Sequence, residues 1–310
     1  MKKAIKKILT PFIRKYDKYK NEVELNRILL GKIYFDLLNT KNSSSAKTIT
    51  DYEFRVFSQS GEDGIIQYLI SQVPIKNDTF VEFGVEDYSE ANTRFLLQNN
   101  NWKGLIIDGN SDNIESIKSR DLYWRYELTA VSSFITRENI NDIIKSAGIS
   151  GDIGLLSIDV DGNDYWIWET INVISPRIVI CEYNSILGNK EAVSVPYDPS
   201  FYRNAKHYSN LFFGASLKAL CFLAEKKNYH FVGCSLSGAN AFFVRKDVSG
   251  NIKPVNCNEG YVKSRARESR DKEGNLTYIS GDARVKIIGE MDVVDVITGE
   301  VKKVNNLELY

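Results

Sequence analysis

The sequence predicts an α/β fold: a mostly parallel sheet covered by helices on both faces and closed at one edge by an antiparallel hairpin. Three observations carry the prediction. Short apolar runs alternate with helix-like segments between Phe57 and Glu182, the pattern of strands buried on both faces. Several of these runs end in an acid beside a glycine or an asparagine, at Glu82, Asp108 and Asp159, where a parallel sheet presents its ligand-binding edge. Two later runs, Tyr229 to Cys234 and Ala241 to Arg245, are separated only by a turn around Ser237-Gly238 and read as a hairpin.

Residues 1–20 are basic, with Ile5, Ile8, Leu9, Phe12 and Ile13 at helical spacing and Pro11 as an interruption. This stretch is too short and broken for a signal peptide. It reads either as a helix packed on the body or on a second subunit, or as a peripheral contact with an anionic membrane. A second helix is expected from Glu22 to Leu38, followed by a polar linker from Asn39 to Thr50.

After the loop Phe57 to Gly64, a helix is expected over Ile65 to Val73 and a strand over Thr79 to Gly84. A helix from about Ser89 to Asn99 and a strand within Trp102 to Asn110 follow. Next come a helix from Ser111 to Ser119, a weaker strand from Trp124 to Val131 and a helix from Arg137 to Ala147. Ile153 to Asp159 is a strongly apolar strand, its helix running through Trp166, Trp168 and Ile171, whose rings read as core. Arg177 to Glu182 is a fifth strand. Ala215 to Lys227 is a helix, and the hairpin comes next. From Gly260 the chain is charged and turn-rich, with alternation over Asp292 to Ile297, and reads as a small β appendage. The division is 1–50 as helical extension and linker, 51–250 as the main domain and 251–310 as a C-terminal β-rich arm.

Composition excludes several classes. Forty Lys and Arg balance forty Asp and Glu, so no global field points to nucleic acid. Cys181, Cys221, Cys234 and Cys257 show no Cys-x-x-Cys spacing and read as reduced thiols of a cytoplasmic protein. The Asn-x-Ser/Thr matches at Asn42 and Asn275 carry no weight. No apolar run is long enough to span a bilayer.

Ser-Gln-Ser-Gly-Glu-Asp-Gly (58–64), Phe-Val-Glu-Phe-Gly (80–84), Trp-Lys-Gly-Leu-Ile-Ile-Asp (102–108) and Leu-Ser-Ile-Asp-Val-Asp-Gly-Asn-Asp-Tyr-Trp (156–166) resemble the FkbM-like S-adenosylmethionine (SAM) methyltransferases. More narrowly, they resemble members found in bacterial capsule and lipopolysaccharide gene sets. The similarity covers about Phe57 to Arg245 and implies a Rossmann-like class I methyltransferase sheet over 51–250, with SAM as cofactor. The single glycine in Gly-Val-Glu-Asp-Tyr-Ser departs from the richer Glu-x-Gly-x-Gly pattern of methyltransferases. A dinucleotide oxidoreductase would more often show Gly-x-Gly-x-x-Gly here.

The resemblance implies Gln59, Glu82, Gly84, Asp108, Asn110 and Asp159 as cofactor-facing residues. Glu82 and Gly84 would lie under the methionine end of SAM, and Asp108 would accept the ribose hydroxyls with Asn110 beside it. Each has a plainer reading: Glu82 caps the next helix, Asp108 belongs to an ordinary turn, and Gln59 is solvent-exposed. In Asp159-Val160-Asp161-Gly162-Asn163-Asp164 the glycine falls at the fourth position and Thr170 at the twelfth, which excludes an EF-hand. Adjacent parallel strands would instead bring Asp159 and Asp161 beside Glu182 and Asn184. Asp161, Glu182 and Asn184 are then candidate ligands of Mg²⁺ or Mn²⁺, with Asp159 a ligand or facing SAM. The alternative is that these acids serve SAM and helix capping alone. Asp161 and His207 are candidate catalytic residues, His207 as general base or as a surface histidine, and His230 reads as structural. Tyr183 and Tyr208 are candidate substrate contacts.

These residues point to a SAM-dependent O-methyltransferase, assisted by a divalent metal, acting on a sugar, a nucleotide-activated sugar or a phosphoramidate-type modification of a surface polysaccharide. No nucleic-acid partner is expected, and a homodimer and a membrane-peripheral position stay open. The rivals are an NAD-dependent oxidoreductase on a similar sheet and a non-catalytic scaffold.

Overall fold

The computed structural model describes residues 2–42 and 48–310. The side chains of residues 1–14, 16 and 17, which make up most of the basic amphipathic stretch of the N-terminus, lie outside the described residues. The chain runs α1 (Lys2–Asn42), α2 (Glu62–Gln72), β1 (Thr79–Phe83), α3 (Arg94–Asn99), β2 (Lys103–Asp108), α4 (Ser111–Lys118), α5 (Asp121–Arg125) and β3 (Leu128–Ser132). It continues through α6 (Ile140–Ser146), β4 (Gly151–Ile158), α7 (Asp164–Thr170), β5 (Ile174–Glu182), β6 (Val193–Ser194), α8 (Arg203–Lys206), α9 (Leu217–Lys226), β7 (Tyr229–Cys234) and β8 (Asn240–Arg245). The last elements are α10 (Cys257–Gly260), α11 (Ala283–Ile287), β9 (Asp292–Asp295) and β10 (Val301–Lys303).

Seven strands form the main sheet in the order β3-β2-β1-β4-β5-β8-β7. The first five are parallel, and β8 and β7 close the edge antiparallel. This is the Rossmann-like sheet with a C-terminal hairpin that the apolar runs predict. Every residue of β1 is buried, because helices cover both faces. One face packs Val81, Leu105, Leu156 and Val179 under α6, α7 and α9, with Trp168 and Tyr165 filling the space. The other packs Phe80, Ile106, Leu155 and Ile180 under α2, α3 and α4. A smaller core joins Ile186, Val193, Phe201 and Phe212 to Ile288, Val293 and Val304, and β6 adds to β9 and β10 in a second sheet.

Several local expectations are corrected. α1 is one helix from Lys2 to Asn42, not a stretch over 1–20 interrupted at Pro11 and then a second helix from Glu22. Proline's fixed φ suits a helix and removes a single amide donor, so a long helix tolerates it at a cost. Residues 39–42 of the expected linker are helical and 43–47 lie outside the described residues, while Ile49–Tyr52 forms a 3₁₀ turn with Tyr52 stacked on Tyr68. The helix expected from Ser89 starts only at Arg94, because the Glu82 carboxylate draws Asn92 and Thr93 into a loop first. Trp124 stands 71% exposed on the helical turn Asp121–Arg125, and the third strand starts only at Leu128. The C-terminal arm is mainly irregular, with β9 and β10 its only strands among the described residues.

Gly84 ends β1 with φ +66°, and a Cβ there would lie 1.8 Å from the Asp159 carbonyl oxygen at the end of β4. Gly84→Ala is expected to cost at least about 2 kcal/mol, from left-handed backbone strain plus the forced separation of two strand ends. Gly109→Ala, with open space and only Phe134 nearby, is expected to stay within about 0.5 kcal/mol of wild type. Urea unfolding of the two variants checks this.

Candidate active site

The carboxyl ends of β2, β1, β4 and β5 are neighbours along one rim of the sheet, carrying Asp108, Glu82, Asp159 and Glu182 in that order. Register makes them neighbours: Phe83 pairs with Ile107, Glu82 with Ser157, and Ile158 with Cys181. Strand order reverses around β1 and β4, and such a switch point opens a crevice at this rim.

At this rim, one carboxylate oxygen each from Asp159, Asp161 and Glu182 lie within 4.8 Å of one another. Asp159 and Glu182 are half-buried, and Asp161 is exposed with φ +54°. Burial first, then the charges of their acidic neighbours, push both Asp159 and Glu182 well above the ordinary carboxylate range. Glu182 Oε2 is buried without a hydrogen-bond partner.

The rest of the Asp159–Asp164 motif shapes the loop that carries these acids. Asp164 opens α7 and accepts the Val160 and Gly162 amides at 2.9 and 3.0 Å, holding the turn on which Asp161 stands. Its own carboxyl is pushed up to about 6, chiefly by burial. Gly162 leaves room for Phe201, whose ring would meet a Cβ at 2.2 Å. Asn163 donates to the Asp198 carbonyl at 2.8 Å.

One cation faces the cluster. Arg203, on α8, donates from Nη1 to Asp161 Oδ1 at 2.6 Å and from Nε to the Asn210 carbonyl at 2.8 Å. Its guanidinium lies 3.8 Å above the Phe213 ring. Sequence reading missed Arg203, which stands four residues before the singled-out His207 in a segment with no motif of its own. A lone arginine forty residues downstream of Asp161 gives no local signal of this contact.

The other expected site residues divide by whether the fold already uses them. Asn184 is withdrawn as a ligand: its Nδ2 donates to the Leu211 and Phe213 carbonyls, and its Oδ1 caps the following turn by accepting the Ile186 amide. The amide that would face a metal instead holds the 211–213 loop to the end of β5. Glu82 accepts Asn92 N–H on Oε1 and both Thr93 N–H and its hydroxyl on Oε2. Burial raises it to about 7. It pins the β1–α3 loop before serving any ligand. Asp108 accepts the Glu86 amide on Oδ2 and the Asn110 amide and Asn113 side chain on Oδ1. A carboxylate has about four acceptor positions, so one on Oδ2 remains, enough for one hydroxyl and not for a diol.

Asn110 caps α4 through the Asp112 amide. Gly84, Gly109, Asn110 and Gln59 are exposed, and the two glycines leave the tips of β1 and β2 bare. His207 does not join the acids by any hydrogen bond: its Nδ1 meets Ser209 Oγ at 2.7 Å and its ring lies against Tyr208. Burial lowers its pKa. Tyr183 is buried and donates to the Val262 carbonyl, which fastens the C-terminal arm beside β5. A cleft of about 950 Å³ opens at the opposite rim among Lys76, Asp152, Arg177 and Arg245. There Asp152 is already shared by Arg177 and Arg245, so this cleft is a structural ion-pair network.

No family model matches the chain, and no curated protein matches it. Among solved structures it is similar to a SAM-dependent methyltransferase from Clostridium acetobutylicum, with 10% identity over 59% of this chain and 90% of that one and a TM-score of 0.38. An O-methyltransferase from Bacillus cereus in complex with S-adenosylhomocysteine (SAH) is similar at 11% identity over 68% and 88%, TM-score 0.40. The N-terminal domain of EvdMO1 with SAH bound is similar at 10% identity over 61% and 80%, TM-score 0.40. Likeness of this degree does not bear on the chemistry of the rim.

Asp63, buried and cradled by the Val56, Phe57 and Ser58 amides at 2.7 Å each, is raised by burial from 3.8 to about 6, and Glu82 from 4.5 to about 7. Both therefore hold protons in the folded chain that the unfolded chain has released. Stability from these two groups falls as pH rises from about 4 to about 7. His207, lowered, acts in the opposite sense as a single group. The urea midpoint is expected to be higher near pH 5.5 than near pH 7.5, with Glu82→Gln shrinking the difference. An equal or rising midpoint across that window would contradict the assignment.

Proposed function

We propose that this protein is a SAM-dependent O-methyltransferase whose acceptor hydroxyl is activated beside a divalent cation held by Asp159, Asp161 and Glu182. The observation that carries the reading is Glu182 Oε2, buried and unpartnered, in a cluster whose oxygens lie within 4.8 Å at the ligand-binding rim of a Rossmann-like sheet. Oxygen ligands of Mg²⁺ or Mn²⁺, at about 2.1 Å from the ion, stand up to about 4 Å apart across it, so oxygens within 4.8 Å need only a small side-chain adjustment to share one ion. Three carboxyl groups against one arginine also leave negative charge that a divalent ion would balance. The cofactor side is supported by the bare tips of β1 and β2, where Gly84 gives close backbone approach and Asp108 Oδ2 keeps one acceptor position.

When bound, SAM supplies an activated methyl group and the divalent ion supplies positive charge that lowers the pKa of a nearby hydroxyl. The chain's own residues do the rest. Asp108 and Gly84 orient the donor from one side of the crevice, and the Asp164-held loop fixes Asp161 on the other. Arg203, stacked on Phe213, offsets part of the charge of the acids. A Glu182 carboxylate oxygen not engaged by the ion would be placed at the same rim to receive the hydroxyl proton, a role in which it replaces His207.

A polar, anionic acceptor is supported by the strip Tyr261–Arg270. It is tied beside the same rim by Tyr183 to Val262 and by Ser185 Oγ, which accepts the Ser264 amide. On it Arg265 and Arg267 are exposed and form no ion pair among the described residues. A nucleotide-activated sugar fits this chemistry, in keeping with the resemblance to methyltransferases of capsule and lipopolysaccharide gene sets. Four free cysteines, three of them buried, support a reducing compartment.

Calorimetric titration with SAH and separately with NAD⁺ tests the class: binding of SAH alone is expected, and binding of NAD⁺ alone would favour the oxidoreductase. Asp108→Ala is expected to weaken SAH at least about tenfold. Asp161→Ala is expected to leave SAH binding intact while lowering Mn²⁺ affinity and turnover by about 10- to 100-fold. Full turnover in chelator would refute the metal assignment and leave the methyltransferase reading standing.

A further inference from the structure

The N-terminal helix has two opposite faces, and only one is used by the body. Glu24, Ile28, Gly31, Phe35 and Leu38, spaced by alternate fours and threes, face inward. Glu24 pairs with the largely buried Arg94 at 2.9 Å. Ile28 joins Val56, Phe57 and Phe95, and Phe35 lies against Phe54. A Cβ on Gly31 would meet Val56 at 2.7 Å, so the helix sits close at that point.

The other face is apolar and bare. Tyr19, Leu29, Leu30, Ile33 and Leu37 are each more than half exposed, and Tyr34, at the border of this face, is 46% exposed with its ring also edge-on to Phe54 of the body. Tyr19, Val23, Asn26, Leu30, Ile33 and Leu37 follow at intervals of four, three, four, three and four residues. That is the 3.5-residue repeat of a seam that winds around another helix, with one polar position inside it. Six large side chains at roughly 100 Å² of coverable apolar surface each give about 600 Å² per copy, or about 1,200 Å² for a pair. This reaches the lower bound of a specific, stable interface, and about 600 Å² per copy stands at the top of the range of about 300–600 Å² for the largest apolar patch on a monomer.

We propose that this face is the interface of a parallel two-helix coiled coil with a second copy of the chain. The flanking residues are complementary in that arrangement. With Tyr19, Asn26 and Ile33 at one seam position and Val23, Leu30 and Leu37 at the other, Glu22 faces Arg27 of the second copy and Leu29 faces Tyr34. Lys15 against Lys20 is the unfavourable pair, at the N-terminal end. Asn26 faces its own counterpart at the centre of the seam and fixes register, because a shift would bury its amide against leucine. The body packs on the side of the helix turned away from the seam, at Glu24, Ile28 and Gly31. Residues 22–40 carry Glu22, Glu24 and Asp36 against Arg27 and Lys32, a mixed charge that does not favour an anionic membrane. No helix among the described residues is long and apolar enough to cross one.

Light scattering after size exclusion, on the full chain at tens of micromolar, is expected to give twice the monomer mass of 35.3 kDa. Leu30→Glu combined with Ile33→Glu is expected to give monomer with unchanged far-ultraviolet dichroism, since both positions face solvent within one copy. Ile33→Ala is expected to raise the dimer dissociation constant at least about tenfold. Tyr19→Cys, near the N-terminal end of the seam, is expected to crosslink two copies under mild oxidation, which an antiparallel pair, setting it beside Leu37, would not allow. A monomeric wild type, a double variant that stays dimeric, or a dimeric Tyr19→Cys variant that fails to crosslink would overturn the proposal. So would a monomeric wild type that floats with phosphatidylglycerol vesicles, which would assign the face to a lipid surface.

Discussion

Like charges gathered at adjoining strand ends set the terms for this molecule. Asp159, Asp161, Asp164 and Glu182 share the rim where β4 and β5 end, and Arg203 is the cation paired within the group. Carboxyl groups held this close and partly out of water favour their neutral forms unless a cation joins them. The fold tolerates the arrangement because Asp164 is satisfied by backbone amides and Asp161 by Arg203. Glu182 is left without a partner. A concentration of unbalanced charge with one unpaired buried oxygen is costly for stability and useful for chemistry, which is why such sites stand out from structural ion pairs.

The contrast with the opposite rim makes the point sharper. There Arg177, nearly fully buried, and Arg245 share Asp152 at 2.7 and 2.8 Å, and Arg245 also reaches Asp247. Asp152 is accordingly lowered by its arginine partners despite the opposing effect of burial. Every charge in that pair network has a partner, and the network ties β4, β5 and β8 together at their far ends. The two rims of one sheet thus divide the work, one closed by matched charge and the other left mismatched.

Other buried acids act as fasteners. Asp63 gathers three consecutive amides and a hydroxyl at the start of α2, Glu82 pins the loop into α3, and Asp108 draws in the Glu86 amide and the start of α4. Backbone amides at loop corners have no strand or helix partner, so a carboxylate that accepts several of them replaces water and fixes the loop. This bears on the crevice directly: the loops that border it are set by acids whose lone pairs are mostly spent, and what remains available is therefore limited and directional. At its N-terminus the chain meets a different problem, apolar surface on both sides of a single helix, which one body can cover only once.

The amino-acid sequence by itself determined the parallel sheet, its closing hairpin and the acids at the strand tips. Those depend on contiguous apolar runs and on the residues that end them, and both are local signals. It also marked Gly84, although the Asp159 carbonyl, from a strand some seventy residues on, turned out to require it. Tertiary structure alone decided which polar atoms stay free. Asn184 looks like a ligand by its place after β5, yet carbonyls from Leu211 and Phe213 claim its amide; Arg203 looks like nothing, yet it reaches Asp161. Helix α1 reads as an interrupted basic stretch and a second helix from Glu22, and Trp124 as strand from its neighbours, because propensity is weak where distant contacts are strong. A hydrogen bond has two ends, and when they lie dozens of residues apart only the folded chain says whether an oxygen is available or already spoken for.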